Sequence, residues 1–210
     1  MATTPGSPPE FADPARRLTP QGLAAACAIL GVGEAELRTV LAVETRGSGF
    51  LPDGRPKILF DRHWFHRLTG GRHSAIHPDI SNEEAGGYAG GAGEYERLSR
   101  AIALDRPAAL DSASWGLGQI MGFNAAKAGY ADAGAMALAF AESEDEQVAA
   151  VARFIVAGKA AHHLAAHDWA GFARLYNGAD YRKNAYDEKL QAAYARLAGD
   201  QAAGGVLDNA

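Results

Sequence analysis

Apolar positions recur along this chain mostly at helical spacing. In "LTPQGLAAACAILGV", Leu23, Cys27 and Leu30 fall three and four apart, which places them on one helix face. Thr19 stands where a cap belongs, Pro20 suits a first helical position, and Gly31 ends the run. A second helix is predicted in "GEAELRTVLAVE", with Leu37, Val40 and Leu41 on one side. "KILF" reads as a short strand or a buried extended segment, followed by a short helix that stops at Gly70-Gly71. From Ser74 to Asp111 the text is glycine-rich and irregular, with one helix expected from Tyr95 to Leu104. Farther on, Val148, Val151, Ala152 and Ile155 form one stripe, and Tyr186, Leu190 and Tyr194 form another. There is no internal repeat, and the pattern predicts a mainly α domain.

One position breaks the pattern. Glu44 lies seven after Leu37, four after Val40 and three after Leu41, so it continues an apolar stripe. It also ends the helix, where the macrodipole disfavours negative charge. Both effects favour the protonated carboxyl, the form a general acid needs. The alternative is a rim glutamate paired with Arg38 or Arg46.

Composition narrows the classes. With 210 residues and 48% hydrophobic content, the chain can bury one substantial core. A formal net charge of -5 gives no basic patch for nucleic acid or an anionic membrane. Cys27 is the only cysteine, so a disulfide framework and a cysteine-based zinc site are excluded. The N-terminus lacks the apolar core of a secretory signal, and no segment reads as a bilayer span.

Three further stretches carry candidate chemistry. In "SASWGLGQIMGFN", Gly116 and Gly118 leave backbone groups open to a ligand and Gln119 adds an amide. Trp115 there is either an apolar platform or, with Leu117 and Ile120, part of the core. In "LYNGADY", Tyr176, Asn177 and Gly178 interrupt a helix with residues suited to turning and hydrogen bonding. His63, His66, His73 and His77, with Asp79, have spacings that could gather around a metal. They straddle a Gly-Gly break and contain no H-E-x-x-H, so no metal and no cofactor is expected.

The order of these motifs carries a resemblance. Glu44 in "ETRG", then "SWGLGQI", then "YNGA" resembles the lysozyme-like superfamily of goose-type lysozymes and lytic transglycosylases. "PKILFDRHWF", "AESEDEQVAAVARFI" and "YNGADYRKNAYDEKLQAAY" are similar to the N-acetylmuramidase family of phage endolysins. The resemblance implies a lysozyme-like helical fold, with an elaborated lobe between the helix of Glu44 and the motif at Ser114. It implies cleavage of peptidoglycan glycan strands, with Glu44 as the catalytic glutamate. Ser114, Trp115, Gly116, Gln119, Tyr176 and Asn177 are then expected to bind substrate. Asp61, where the family usually has a glutamate, is the first candidate for a second catalytic carboxylate. A structural salt bridge from Asp61 to Arg62 or Arg55 is the competing reading. Asp53, in "PDG", reads as a turn residue.

The expected organisation is a disordered tail or linker over residues 1–18, a catalytic domain over 19–198 and a flexible tail over 199–210. A monomer acting on glycan strands is expected, without nucleic-acid or membrane partners. Three alternatives remain open, a lytic transglycosylase forming 1,6-anhydromuramyl ends, a zinc-dependent wall peptidase and a catalytically dead wall-binding module. Delivery from the cytoplasm to the wall would run through a holin, or by injection as a toxin with a cognate immunity protein.

Overall fold

In the computed structural model, Phe11, residues 14–45 and residues 47–204 are described, and Arg46 and the remaining terminal residues lie outside them. Helix α1 spans Pro20–Leu30 and α2 spans Glu34–Glu44. Thr19 caps α1 by accepting from the Gly22 N–H, with Pro20 opening the first turn, as the sequence predicts. The "KILF" segment forms strand β1, Ile58–Phe60, followed by α3, Arg62–Leu68. Then come α4 (Gly93–Leu104) and α5 (Arg106–Asp111). Strands β2 (Ala113–Trp115) and β3 (Ile120–Met121) lead to α6 (Ala133–Glu142) and α7 (Glu144–Ala157). The chain closes with α8 (Ala161–Ala165), α9 (Trp169–Tyr176) and α10 (Tyr186–Gly204). Helix α1 packs on α7, while α10 packs on α2 and α9.

The three strands form one antiparallel sheet in the order β1-β2-β3. Register puts Ile58, Trp115 and Ile120 side by side on the face that enters the core, and Leu59, Ser114 and Met121 on the opposite face. Core-facing residues are nearly inaccessible, and Phe60, Tyr95, Phe140 and Phe172 are among the other buried aromatics.

Packing extends further toward the N-terminus than the expected boundary at residue 19. Phe11 is buried, with its ring centroid 5.4 Å from that of Trp115. Arg16 donates its N–H to the Glu142 carbonyl at 3.1 Å and accepts from the Glu144 N–H at 2.8 Å. The disordered tail expected over residues 1–18 is therefore corrected for Phe11 and residues 14–18, whose backbone and one large apolar side chain find partners. Residues 1–10, 12 and 13 lie outside the described residues. At the other end α10 runs on to Gly204, past the expected boundary at 198, and residues 205–210 lie outside the described ones.

The lobe between α2 and β2 is fastened by one buried ion pair. Glu94, fully buried on α4, accepts from the N–H groups of Ala89, Gly90 and Phe60 and from Arg97 at 2.7 Å. Arg97 in turn donates to the carbonyls of Phe60 and Asp79. Two charges removed from water are stable only when their remaining hydrogen-bonding capacity is filled, and here backbone groups of the lobe and of β1 fill it.

Candidate active site

Glu44 is the last residue of α2 and one of the residues lining a cleft of about 570 Å³. The cleft runs between the end of α2, the Leu59–Ser114 side of the sheet and the turn joining β2 to β3; Lys57, Ser114, Gly116 and Gln119 line it, with Gly91 from the lobe. Glu44 is the one carboxylate among the described residues in that lining. Its side chain is half-buried, and burial raises its carboxyl above the ordinary glutamate range. Two influences pull the other way, the hydrogen bonds from Asn177 and the positive charge of Lys189. The Asn177 Nδ2 group lies 3.1 and 3.0 Å from the two carboxylate oxygens, and its Oδ1 is buried without a partner. Of the partners considered for Glu44, Arg38 instead bonds Glu34, and Arg46 lies outside the described residues.

The two walls of the cleft are registered by the first turn of α7. Glu144 accepts from the Gly49 N–H at 2.8 Å and from the Ser48 hydroxyl at 3.0 Å, which fixes the loop leaving Glu44. It also accepts from the Leu18 N–H and from Arg17. Burial works against its charge, but these hydrogen bonds and the Arg17 charge together hold its carboxyl below the usual glutamate range. One turn on, Gln147 Oε1 accepts from the Leu117 N–H at 2.7 Å while its amide donates to the Phe140 carbonyl at 2.9 Å. This fixes the β2-β3 turn. Gly116 in that turn has a φ of +65°, and an added Cβ would stand 2.6 Å from the Phe140 ring. Neither Glu144 nor Gln147 was singled out from sequence, although the unbroken polar run "SEDEQ" ahead of an apolar stripe was the available signal.

Within the turn, Ser114 donates to Gln119 Oε1 at 2.9 Å, and Gln119 Nε2 donates to the Gly116 carbonyl at 2.8 Å. Ser114, Gly116 and Gln119 thus reach the cleft together with Glu44. Trp115 does not. Sheet parity turns it into the core, where it is fully buried and its indole N–H donates to the Leu110 carbonyl at 3.1 Å. The expectation of a substrate platform at Trp115 is corrected accordingly. Tyr176 packs between Phe172 and Phe154, and burial and the charge of Glu44 push its hydroxyl pKa up. It stands behind the acid, outside the cleft lining.

Asp61 is the N-cap of α3, accepting from the N–H groups of His63 and Trp64 at 2.8 and 3.2 Å. Its second oxygen lies 3.3 Å from the Tyr88 hydroxyl. It neither lines the cleft nor pairs with Arg55, which bonds Asp53. The residue expected as a second catalytic carboxylate is thus a helix cap outside the cleft lining, with its second oxygen facing Tyr88. The histidines are separated: His66 bonds Ser74 at 2.7 Å and His73 stacks on Phe65. No group of three or more metal-ligating side chains occurs among the described residues.

A helical domain whose cleft, between a helix end and a small sheet, holds one half-buried glutamate defines a glycosidase of lysozyme-like fold. The chain belongs to the N-acetylmuramidase family, whose sequence profile matches residues 33–198, and is thus a peptidoglycan-hydrolysing glycoside hydrolase. The crystal structure of the Burkholderia AP3 phage endolysin is similar, with a TM-score of 0.82 and 44% identity over 89% of this chain and 72% of that one. No curated protein matches the sequence.

Proposed function

We propose that the chain hydrolyses the β-1,4 bond between N-acetylmuramic acid and N-acetylglucosamine, with Glu44 as the general acid. The observation that carries this reading is a carboxyl with raised pKa at a helix C-terminus, alone among carboxylates in the cleft lining. Protonated Glu44 donates to the bridging oxygen as the bond to the anomeric carbon breaks; a water oxygen then bonds that carbon, and the proton that the water gives up restores the acid. The carboxylate left behind is met by both hydrogen bonds from Asn177, so charge appears where donors already stand. Ser114 and Gln119 supply the polar groups of the sheet-side wall and hold the sugar through the β2-β3 turn. Tyr176 and Asn177 act through Glu44 rather than through the sugar.

The proposed working place of this enzyme is the bacterial cell wall, reached by release through a holin. No helix among the described residues is long and apolar enough to cross a membrane. The test is clearing of outer-membrane-permeabilised cells by the wild type and by Glu44→Gln, with mass spectrometry of the products. Reducing muramic acid ends are expected from the wild type and no clearing from the variant. A lone carboxylate in the cleft also suits a transglycosylase, which uses the sugar's own hydroxyl in place of water, and 1,6-anhydro ends would establish that route instead.

A further inference from the structure

The cleft-facing side of the sheet continues beyond the cleft. Leu59, Ser114 and Met121 lie opposite one another in register, and Leu59 and Ser114 line the cleft. Asp61 extends this side past the end of β1, its N–H donating to the Ser112 carbonyl at 3.0 Å, and Phe123 follows β3 in the 3-10 turn Gly122–Asn124. There the Phe123 ring meets Trp64 at a centroid distance of 4.6 Å. Phe123 is 39% exposed and Tyr88, whose hydroxyl reaches Asp61, is 46% exposed. Arg67 lies over the Trp64 ring at 4.8 Å and holds it in place. Trp64 is half-buried, whereas the other two tryptophans, Trp115 and Trp169, belong to the core.

We propose that Trp64 and Phe123, edged by Asp61 and Tyr88, form a distal saccharide subsite that takes a ring of the same glycan strand beyond the cleft around Glu44. An exposed aromatic surface covers the apolar face of a sugar, while the carboxylate and the phenol accept and donate to its equatorial hydroxyls. None of Asp61, Trp64, Tyr88 and Phe123 lines the cleft around Glu44, so this subsite binds a different sugar from the one next to the acid. Asp61 thereby has a ligand-binding use that its capping role leaves available, since Oδ1 accepts from the helix and Oδ2 faces Tyr88.

The inference rests on the cleft being the glycan site, and the experiment separates the two. The full chain carrying Glu44→Gln, to prevent turnover, is titrated with peptide-free glycan strands, one set too short to reach Trp64 from Glu44 and one long enough. Long strands are expected to shift and quench the tryptophan emission, and short strands to bind without that change. Trp64→Phe, added to Glu44→Gln, keeps a ring and is expected to abolish the spectral change. Phe123→Ala in the same background is expected to weaken the long strands roughly tenfold more than the short ones. Circular dichroism checks that each variant folds. Binding of long strands with unchanged emission, or equal weakening of short and long strands, overturns the subsite alone. Absence of binding at every length overturns the subsite and the cleft assignment together.

Discussion

Asn177, at the C-cap of α9, reaches both carboxylate oxygens of Glu44 with its Nδ2 group, across 133 residues of chain. The contact stabilises the ionised acid and so opposes the effect of burial. Removing it in Asn177→Ala takes stabilisation from the charged form and raises the Glu44 pKa further. Activity that needs the protonated acid then persists to higher pH. The expected outcome is a basic limb of the pH–kcat profile displaced upward, and an unchanged limb would show that the amide does not tune the acid.

Glu44→Gln is expected to lower kcat by about 10²–10⁴, the range of general acid catalysis. The same change has an opposite effect on stability. A carboxyl whose folded pKa lies above its unfolded value contributes stability below the unfolded pKa, and loses it as pH rises through the folded pKa. At neutral pH the native glutamate is therefore a burden that glutamine lacks. Thermal melts should show the variant more stable near pH 7, by about 2–4 °C for each kcal/mol relieved. The advantage should shrink as pH falls below the ordinary glutamate range.

Glu144 shows the reverse linkage. Its folded pKa is depressed, so its contribution is present above the unfolded pKa and is lost as pH falls through the folded one. Glu144→Ala leaves the N–H groups of Gly49 and Leu18 without their acceptor, at a cost of about 2–4 kcal/mol. Denaturant unfolding at neutral pH measures this loss, and kcat/KM on cell walls should fall with it because the loop after Glu44 is released. In acid the gap between wild type and variant should narrow.

Gly116 in the β2-β3 turn and Gly47 in the loop after Glu44 form a paired test of backbone strain against side-chain collision. Both have positive φ, +65° and +75°, but only at Gly116 would a Cβ collide with Phe140 and Gln147. Gly47→Ala should cost about 1–2 kcal/mol for the left-handed backbone alone. Gly116→Ala should cost more, by a further ~1–3 kcal/mol of overpacking, and should depress activity because Gln147 positions the cleft wall. Chemical denaturation of the two variants gives the comparison.

Periodicity made α1, α2 and the stripe of α7 readable, because each carries three or more apolar residues at helical spacing and α1 has its Thr19 cap in sequence. Glu44 was readable for the same reason, as an interruption of a stripe. Trp115 was not, since strands of two and three residues are too short to display a period of two. Its inward direction is set by pairing with Ile58, 57 residues earlier in the chain. Asp61 could have been read as a cap, because an aspartate immediately ahead of a helical run is a start signal. Glu144 and Gln147 sit in a helix first turn, where acidic and amide residues are ordinary. Their partners at Gly49 and Leu117 are visible only in three dimensions.

The attachment of both cleft walls to α7 makes one helix the common reference for the whole cleft. The loop after Glu44 and the β2-β3 turn take their positions from Glu144 and Gln147. The lobe spanning residues 62–111 is clipped instead to the end of β1 through Glu94 and Arg97. The distance between the acid and the sheet-side wall is therefore governed by α7, a helix outside the lobe.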